Sequence, residues 1–198
     1  MRLTASSAPE TLVASREGTE FAAYSEITDD ILRDLSIKAA PYVVRPAGEA
    51  DLDAIADFEV TIARNAFRED AVDNPERHRV RIARAMAKSR SGMYVACRPT
   101  EDGEQVVGWL WIALNQNSLT GAWFANFRSL ATSPIEQQSE VAELLVATGL
   151  RYVANHDVQE VVGRTFIGNL AMRVLYRRFG FSPTHLKMER KLPVAGAQ

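Results

Sequence analysis

The sequence contains few residues of the kinds that cross-link a chain through covalent bonds or metal ions. Cys97 is the only cysteine among 198 residues, so an intramolecular disulfide and a cysteine-rich zinc site are both excluded. The three histidines, His78, His156 and His185, are scattered and show no metal-ligand spacing. A single cysteine is typical of proteins from a reducing compartment. We therefore predict no metal site and a fold stabilised by its hydrophobic core.

Long apolar runs and a strong charge of one sign are also absent. No stretch approaches the roughly 18 apolar residues that a membrane-spanning helix needs, and the start of the chain, MRLTASSAPE, lacks the apolar region of a signal peptide. The net charge of -2 gives no electrostatic reason to expect a nucleic acid or a membrane surface as partner. We therefore expect a cytoplasmic protein that binds neither.

The composition that remains is that of an ordinary globular domain, with 46% hydrophobic and 24% charged residues. Residues 1–41 do not share the regular pattern that follows. They contain a candidate hairpin between positions 11 and 24 and a helix start at Thr28, or alternatively form a partly disordered tail. We predict an N-terminal extension over 1–41, a domain over 42–192 and a short tail over 193–198.

Within the predicted domain, hydrophobic periodicity and turn residues indicate an α+β order. The order is strand, two helices, three antiparallel strands, helix, strand, helix and strand. The predicted bounds, in chain order, are residues 42–46, from 51, from 74, 93–97, 105–114, 122–132, 141–155, 158–167, 169–179 and from 181.

The segment 169–181, NLAMRVLYRRFGF, is the most informative stretch. Ala171, Leu175 and Phe179 recur at i, i+4 and i+8, which predicts an amphipathic helix, and Gly180 follows as a helix stop. Tyr176 lies in the last turn of this helix, so its phenol can project towards the end of the sheet.

The spacing of this segment resembles the C-terminal motif of the GNAT acyltransferases, N-x-x-A-x-x-L-Y-x-x-x-G-F. The matching positions are Asn169, Leu175, Tyr176, Gly180 and Phe181, with Met172 where that family usually has alanine. Together with the order of elements, the resemblance covers about residues 42–192. It implies a mixed, mostly antiparallel central sheet flanked by helices. It also implies transfer of an acyl group from acetyl-CoA, or another acyl-CoA, to an amine of a small molecule or protein, and is compatible with a homodimer.

The resemblance implies that acyl-CoA lies between the fourth and fifth strands of the sheet, with its pyrophosphate on a loop that opens the next helix. Alignment of Pro134 with the loop proline of the family puts Glu140 where the family has glycine, and its carboxylate would repel pyrophosphate by on the order of a kcal/mol. Alternatively, Ser133 and Glu136 form a capping box, the helix begins at Pro134, and there is no phosphate loop. The implied CoA-binding residues are Leu130, Ala131, Thr132, Gln137, Gln138, Ser139, Val141, Ala142, Asn169 and Tyr176.

The resemblance also implies chemical roles. Tyr176 would protonate the leaving thiolate, Asn169 would orient the pantetheine arm or a water, and a backbone N–H near Leu130 or Ala131 would polarise the thioester carbonyl. No carboxylate lies between positions 122 and 132, where many members of the family carry the base. The candidates for the base are Glu59, Glu69 and Asp70, each of which we expect to be solvated, or a water relay through Ser129 or Asn126.

For the acceptor, position in the fold indicates side chains on the strands that face the cleft, and strand alternation brings only about half of them into it. Arg128 could bind a carboxylate of the acceptor bidentately. A basic series on the second helix is expected to be a solvated face, or alternatively to border the acceptor entrance or hold an anionic ligand. A catalytically silent GNAT-like binding or regulatory module is the alternative function. The predicted acceptor-binding residues are Trp111, Phe124, Asn126 and Arg128.

Overall fold

The computed structural model describes residues 24, 26–185, 187, 188 and 190. The helices are α1 (Asp29–Lys38), α2 (Leu52–Phe67), α3 (Pro75–Lys88), α4 (Gln138–Ala154) and α5 (Leu170–Arg178). The strands are β1 (Val43–Pro46), β2 (Met93–Thr100), β3 (Gly103–Gln116), β4 (Trp123–Thr132) and β5 (Glu160–Val162). None of the described helices combines the length and apolar character that a bilayer span requires.

The five strands form one sheet in the order β1-β2-β3-β4-β5, in which every neighbouring pair is antiparallel except β4 and β5, which are parallel. This is the mixed, mostly antiparallel α+β architecture that the sequence predicted, and its helices and its first four strands lie where they were expected. Short 3-10 turns at Glu49–Asp51 and Arg68–Asp70 precede and follow α2. The candidate hairpin near the N-terminus lies outside the described residues.

Two strand predictions in the last third of the chain are wrong. The strand predicted over 158–167 is limited to β5, because β5 pairs with β4 only from Phe124 to Asn126. No strand begins at Phe181 within the described residues 181–185. The amide of Phe181 donates to the Tyr176 carbonyl at 3.0 Å, and Pro183 has no amide to donate, so this segment does not extend the sheet.

The two faces of the sheet support two hydrophobic clusters. Trp109 faces α2 and α3, where it packs with Ile55 and Ile82, whereas its neighbour Leu110 faces α4 and packs with Leu145. All five side chains are fully buried. The period of two along β3 thus assigns α2 and α3 to one face of the sheet and α4 to the other.

Helix α1 belongs to the second of these clusters although it precedes the region of family resemblance. Its start at Thr28 is confirmed, since the Thr28 hydroxyl accepts from the Ile31 amide at 3.3 Å. Leu35 is 1% exposed within the α4-side cluster, and Asp29 pairs with Arg151 of α4 at 2.9 Å. The helix therefore contributes to the domain core.

Replacement of Leu35 by alanine tests this packing. We expect Leu35→Ala to lower the free energy of unfolding by about 2–5 kcal/mol, because a buried leucine leaves a cavity. Ile37 of the same helix is 68% exposed, so Ile37→Ala should change the free energy of unfolding by less than about 0.5 kcal/mol. Urea titration of both variants measures the difference. Equal effects would contradict the packing of α1 against α4.

Candidate active site

The parallel strands β4 and β5 separate part-way along their length. Their described pairing ends at Asn126 opposite Val162, whereas β4 continues to Thr132. Beyond Asn126, the edge of β4 on this side has no strand partner among the described residues. The backbone groups of Leu130 and Ala131, predicted to contact the acyl donor, lie along this open edge.

A β-bulge in β4 lies beside the separation. Trp111 of β3 faces Ser129, but the next residue, Ile112, faces Phe127, so Arg128 is the extra residue. Bulges redirect side chains at functional positions. Here the bulge lets Arg128 and Ser129, which are consecutive, both contact side chains on the α2 and α3 face of the sheet.

The loop after β4 is not helical. Helix α4 begins at Gln138, so the alternative in which a capping box starts the helix at Pro134 is wrong. The reason is that the Ser133 amide continues the ladder with β3, donating to the Val107 carbonyl at 2.8 Å. The Gln138 side chain then donates to the Thr132 hydroxyl at 3.2 Å and ties the loop to the end of β4.

The backbone amides at the start of α4 agree only in part with the predicted CoA-binding residues. Val141 was predicted to bind CoA, but its amide donates to the Gln137 carbonyl at 3.0 Å and its side chain is fully buried, so neither is free to contact a ligand. Ala142 lies one residue further into the helix. The Gln138 amide donates to Ile135 at 3.2 Å. Among the described residues, the amides of Ser139 and Glu140 have no backbone acceptor and could bind an anion.

Tyr176 lies beside the separation of β4 and β5. Its ring centroid is 6.0 Å from that of Phe127 in β4 and 4.9 Å from that of Phe181. A Cβ atom at Gly163, directly after β5, would lie 2.6 Å from the Tyr176 ring, so only glycine leaves room for the phenol there. Burial raises the pKa of Tyr176 to about 12. The phenol is therefore protonated at neutral pH and can donate a proton.

Asn169 lies directly before the first residue of α5, and its side chain stabilises the start of that helix. Its side-chain oxygen accepts from the Met172 amide at 3.1 Å and caps the N-terminus of α5. The side chain is exposed. Its amide NH₂ group is therefore the part that could contact a bound molecule.

The structure identifies a buried carboxylate that sequence reasoning expected to be solvated. Glu59 of α2 is 5% exposed and accepts from the Trp109 indole N–H at 2.8 Å, from the Ser129 hydroxyl, and from Arg81 of α3. Glu69, the other candidate glutamate, is exposed after α2. The described residues contain no group of three or more side chains placed to hold a metal ion.

A signal for the burial of Glu59 was present in the sequence. Ile55, Glu59 and Ala63 recur at i, i+4 and i+8 in α2, and all three are buried. A carboxylate within an apolar stripe has to find hydrogen-bond donors, since an unpaired buried charge is strongly unfavourable.

Two of the predicted acceptor-binding residues lie together. Trp111 and Arg128 line a cleft between α3 and the sheet, and the Arg128 guanidinium lies 5.7 Å from the centroid of the Trp111 ring. Asn126 and Phe124 are not part of the lining. Asn126 instead accepts from the Asn115 side chain at 2.6 Å, and Asn115 accepts from Arg128 at 3.3 Å.

Comparison with known proteins agrees with this geometry. Residues 56–181, more than half of the chain, match the model of the acetyltransferase (GNAT) family. The chain belongs to the GNAT family. Membership supports acyl transfer as its general chemistry. A search of curated proteins finds no match.

Solved structures show the same fold at low sequence identity. A transcriptional regulator from Bacillus halodurans C-125 is 18% identical with a TM-score of 0.60, covering 76% of this chain and 99% of its own. Glucosamine-6-phosphate N-acetyltransferase from Arabidopsis thaliana is 10% identical with a TM-score of 0.56, covering 77% and 99%. An acetyltransferase from Trypanosoma brucei is 14% identical with a TM-score of 0.55, covering 76% and 99%.

The raised pKa of Tyr176 can be measured directly. The difference in tyrosinate absorbance between the wild type and Tyr176→Phe should rise near pH 12, and near pH 10 once both proteins are unfolded in denaturant. Because the folded pKa is the higher one, this tyrosine contributes stability that is complete below about pH 10 and lost as the pH rises towards 12. A native difference curve centred near pH 10 would contradict the burial of the phenol.

Proposed function

We propose that this GNAT protein is an N-acyltransferase that moves an acetyl or related acyl group from acyl-CoA to an amine of a small molecule or protein. One observation carries the proposal. Two groups suited to proton transfer flank β4 where it separates from β5, with Tyr176 on the side of α5 and the Glu59–Ser129 pair on the side of α2. The reaction needs a proton removed from the amine and another supplied to the thiolate.

The backbone around the separation fits acyl-CoA. The open edge of β4 at Leu130, Ala131 and Thr132 can pair with the pantetheine amides, and the amides of Ser139 and Glu140 suit a pyrophosphate. Gln137 and Gln138 lie between this edge and these amides, and the Gln138 side chain holds the loop to Thr132. Bound acyl-CoA would supply the activated thioester. The Glu140 carboxylate opposes this fit, since it is half-buried in the first turn of α4.

The acceptor side of the reaction is assigned to Glu59 and Ser129. The Ser129 hydroxyl donates its hydrogen to Glu59, so its oxygen lone pairs remain to accept a hydrogen from an amine. As the amine nitrogen bonds to the thioester carbonyl carbon, its proton passes to Ser129 while the serine proton passes to Glu59. A backbone N–H of Leu130 or Ala131 would stabilise the negative charge on the carbonyl oxygen.

The donor side is assigned to Tyr176. When the carbon–sulfur bond breaks, the phenol gives its proton to the sulfur, and its high pKa keeps it protonated until then. Solvent then reprotonates the tyrosinate and takes the proton from Glu59, which restores both groups. The NH₂ group of Asn169 would orient the pantetheine arm at the same end of the site.

A silent binding module is the alternative that Glu140 favours, and titration of acetyl-CoA by calorimetry separates the two. We expect the wild type to bind and Glu140→Gln to bind roughly fivefold to tenfold more tightly, because about a kcal/mol of repulsion is removed. Glu136→Gln, which removes an exposed carboxylate from the same loop, is the matched control and should change affinity little. If acetyl-CoA bound only after Glu140→Gly, the silent binding module would replace the acyltransferase as the function of this protein.

Substitution of Glu59 tests the assignment of the base. We expect Glu59→Gln to lower the turnover of amine acetylation by about 10²- to 10⁴-fold while acetyl-CoA affinity is retained. Glu69→Gln, at an exposed position, is the control and should act like the wild type. Circular dichroism and urea unfolding check that the Glu59 variant stays folded. Wild-type turnover in a folded Glu59→Gln protein would exclude Glu59 as the base.

A further inference from the structure

Helix α3 presents a basic stripe to a cleft. Arg77, Arg81, Arg84 and Lys88 recur at i, i+4, i+7 and i+11, which puts them on one face of the helix, and all four line the cleft. Ile82 points the other way into the core and is fully buried. The cleft runs between α3 and the strands β3 and β4 and has a volume of about 1250 Å³, enough for a small molecule.

Among the described residues, one cation of this stripe, Arg81, pairs with a carboxylate, that of Glu59. Arg77, Arg84 and Lys88 have no carboxylate partner among the described residues. Arg79 lies off the stripe on the same helix and does have one, since it pairs with Asp53 at 2.7 Å. Glu76 is the carboxylate in the lining of the cleft. The cleft therefore carries a clear excess of positive charge.

The opposite wall holds another guanidinium. Arg128 donates to Asn115 at 3.3 Å and lies over the Trp111 ring, and both contacts favour one orientation of its exposed side chain. Ala113 and Leu114 continue this wall as an apolar surface. An anionic group between α3 and Arg128 would have cations on two sides, and the carbon skeleton of the ligand would have an apolar wall to pack against.

The proposed base lies next to the cleft. Arg81 lines the cleft and also contacts Glu59, while Arg128 lines it from the position next to Ser129. Glu59 and Ser129 do not line the cleft themselves; both are 5% exposed and lie directly behind these two lining residues. A ligand bound by its anionic group would direct its other end towards the place where the amine is deprotonated.

We propose that the acceptor is a small amine that carries a carboxylate or a phosphate group, bound in this cleft by Arg84, Lys88 and Arg128. The proposal rests on the acyltransferase function and names its substrate class. The anionic group fixes the orientation of the acceptor, and the bound amine meets Ser129 and Glu59.

Matched pairs of amines test the substrate class with acetyl-CoA as donor. Glycine is compared with glycinamide, and O-phosphoethanolamine with ethanolamine, so that each pair differs in the anionic group. We expect kcat/KM for the anionic member of at least one pair to be roughly tenfold or more higher. The pair that shows the preference identifies carboxylate or phosphate. Equal acetylation of all four amines would overturn the inference and leave the acyltransferase function intact.

Variants then locate the binding site. Arg84→Gln and Arg128→Gln should each raise KM for the preferred anionic amine by about tenfold. Arg79→Gln is the matched control from the other face of α3 and should leave it unchanged. An equal rise in KM for all three variants would indicate a general effect of lost positive charge and would contradict binding of the anion in the cleft.

A binding readout keeps the inference separate from catalysis. We expect O-phosphoethanolamine or glycine, but neither neutral partner, to raise the melting temperature of the wild type, and Arg84→Gln to abolish the effect. If acetyl-CoA is not bound and no amine is acetylated, the acyltransferase function fails, whereas retained anion stabilisation would still support the cleft. If the anionic amines are neither preferred as acceptors nor raise the melting temperature, the cleft is not an anion-binding site.

Discussion

The buried carboxylate of Glu59 is the interaction on which the arrangement of the site depends. Removing a carboxylate from water costs several kcal/mol unless donors replace the lost hydration. Its donors come from β3, β4 and α3 through Trp109, Ser129 and Arg81. Because each donor must reach the same two oxygens, the network fixes how α2 and α3 lie over the sheet. The cleft beside α3 has its shape for the same reason.

Strand β4 separates two chemical environments. On the α5 side, Phe127 packs against Tyr176, whose surroundings are aromatic and apolar and keep its phenol neutral. On the α2 side, the Ser129 hydroxyl donates to Glu59, which also accepts from Arg81. In the proposed reaction, the strand would keep the proton acceptor and the proton donor in separate surroundings, and its open edge would let a bound thioester reach both.

Local patterns predicted the fold well, and long-range contacts account for what they missed. The helix ending at Gly180 was visible because its apolar spacing and its stop lie within a dozen residues of sequence, and Gly180 does adopt a positive φ of 74°. The sequence left two alternatives for the start of α4, because the contact that decides between them is a hydrogen bond from the Ser133 amide to a distant carbonyl on β3. The partners of Glu59 lie 50 and 70 residues away in the chain, at Trp109 and Ser129, and no local spacing encodes them.

The bulge in β4 bears on the size of the acceptor. In a regular strand, two side chains on the same face are two residues and roughly 7 Å apart along the chain, whereas Arg128 and Ser129 are consecutive, with Cα atoms about 3.8 Å apart. The residue that would grip the anion and the residue that would receive the amine proton therefore start from neighbouring points of the backbone. Such an arrangement favours an acceptor in which only a few bonds separate the two groups, and a longer amine would have to fold back to satisfy both.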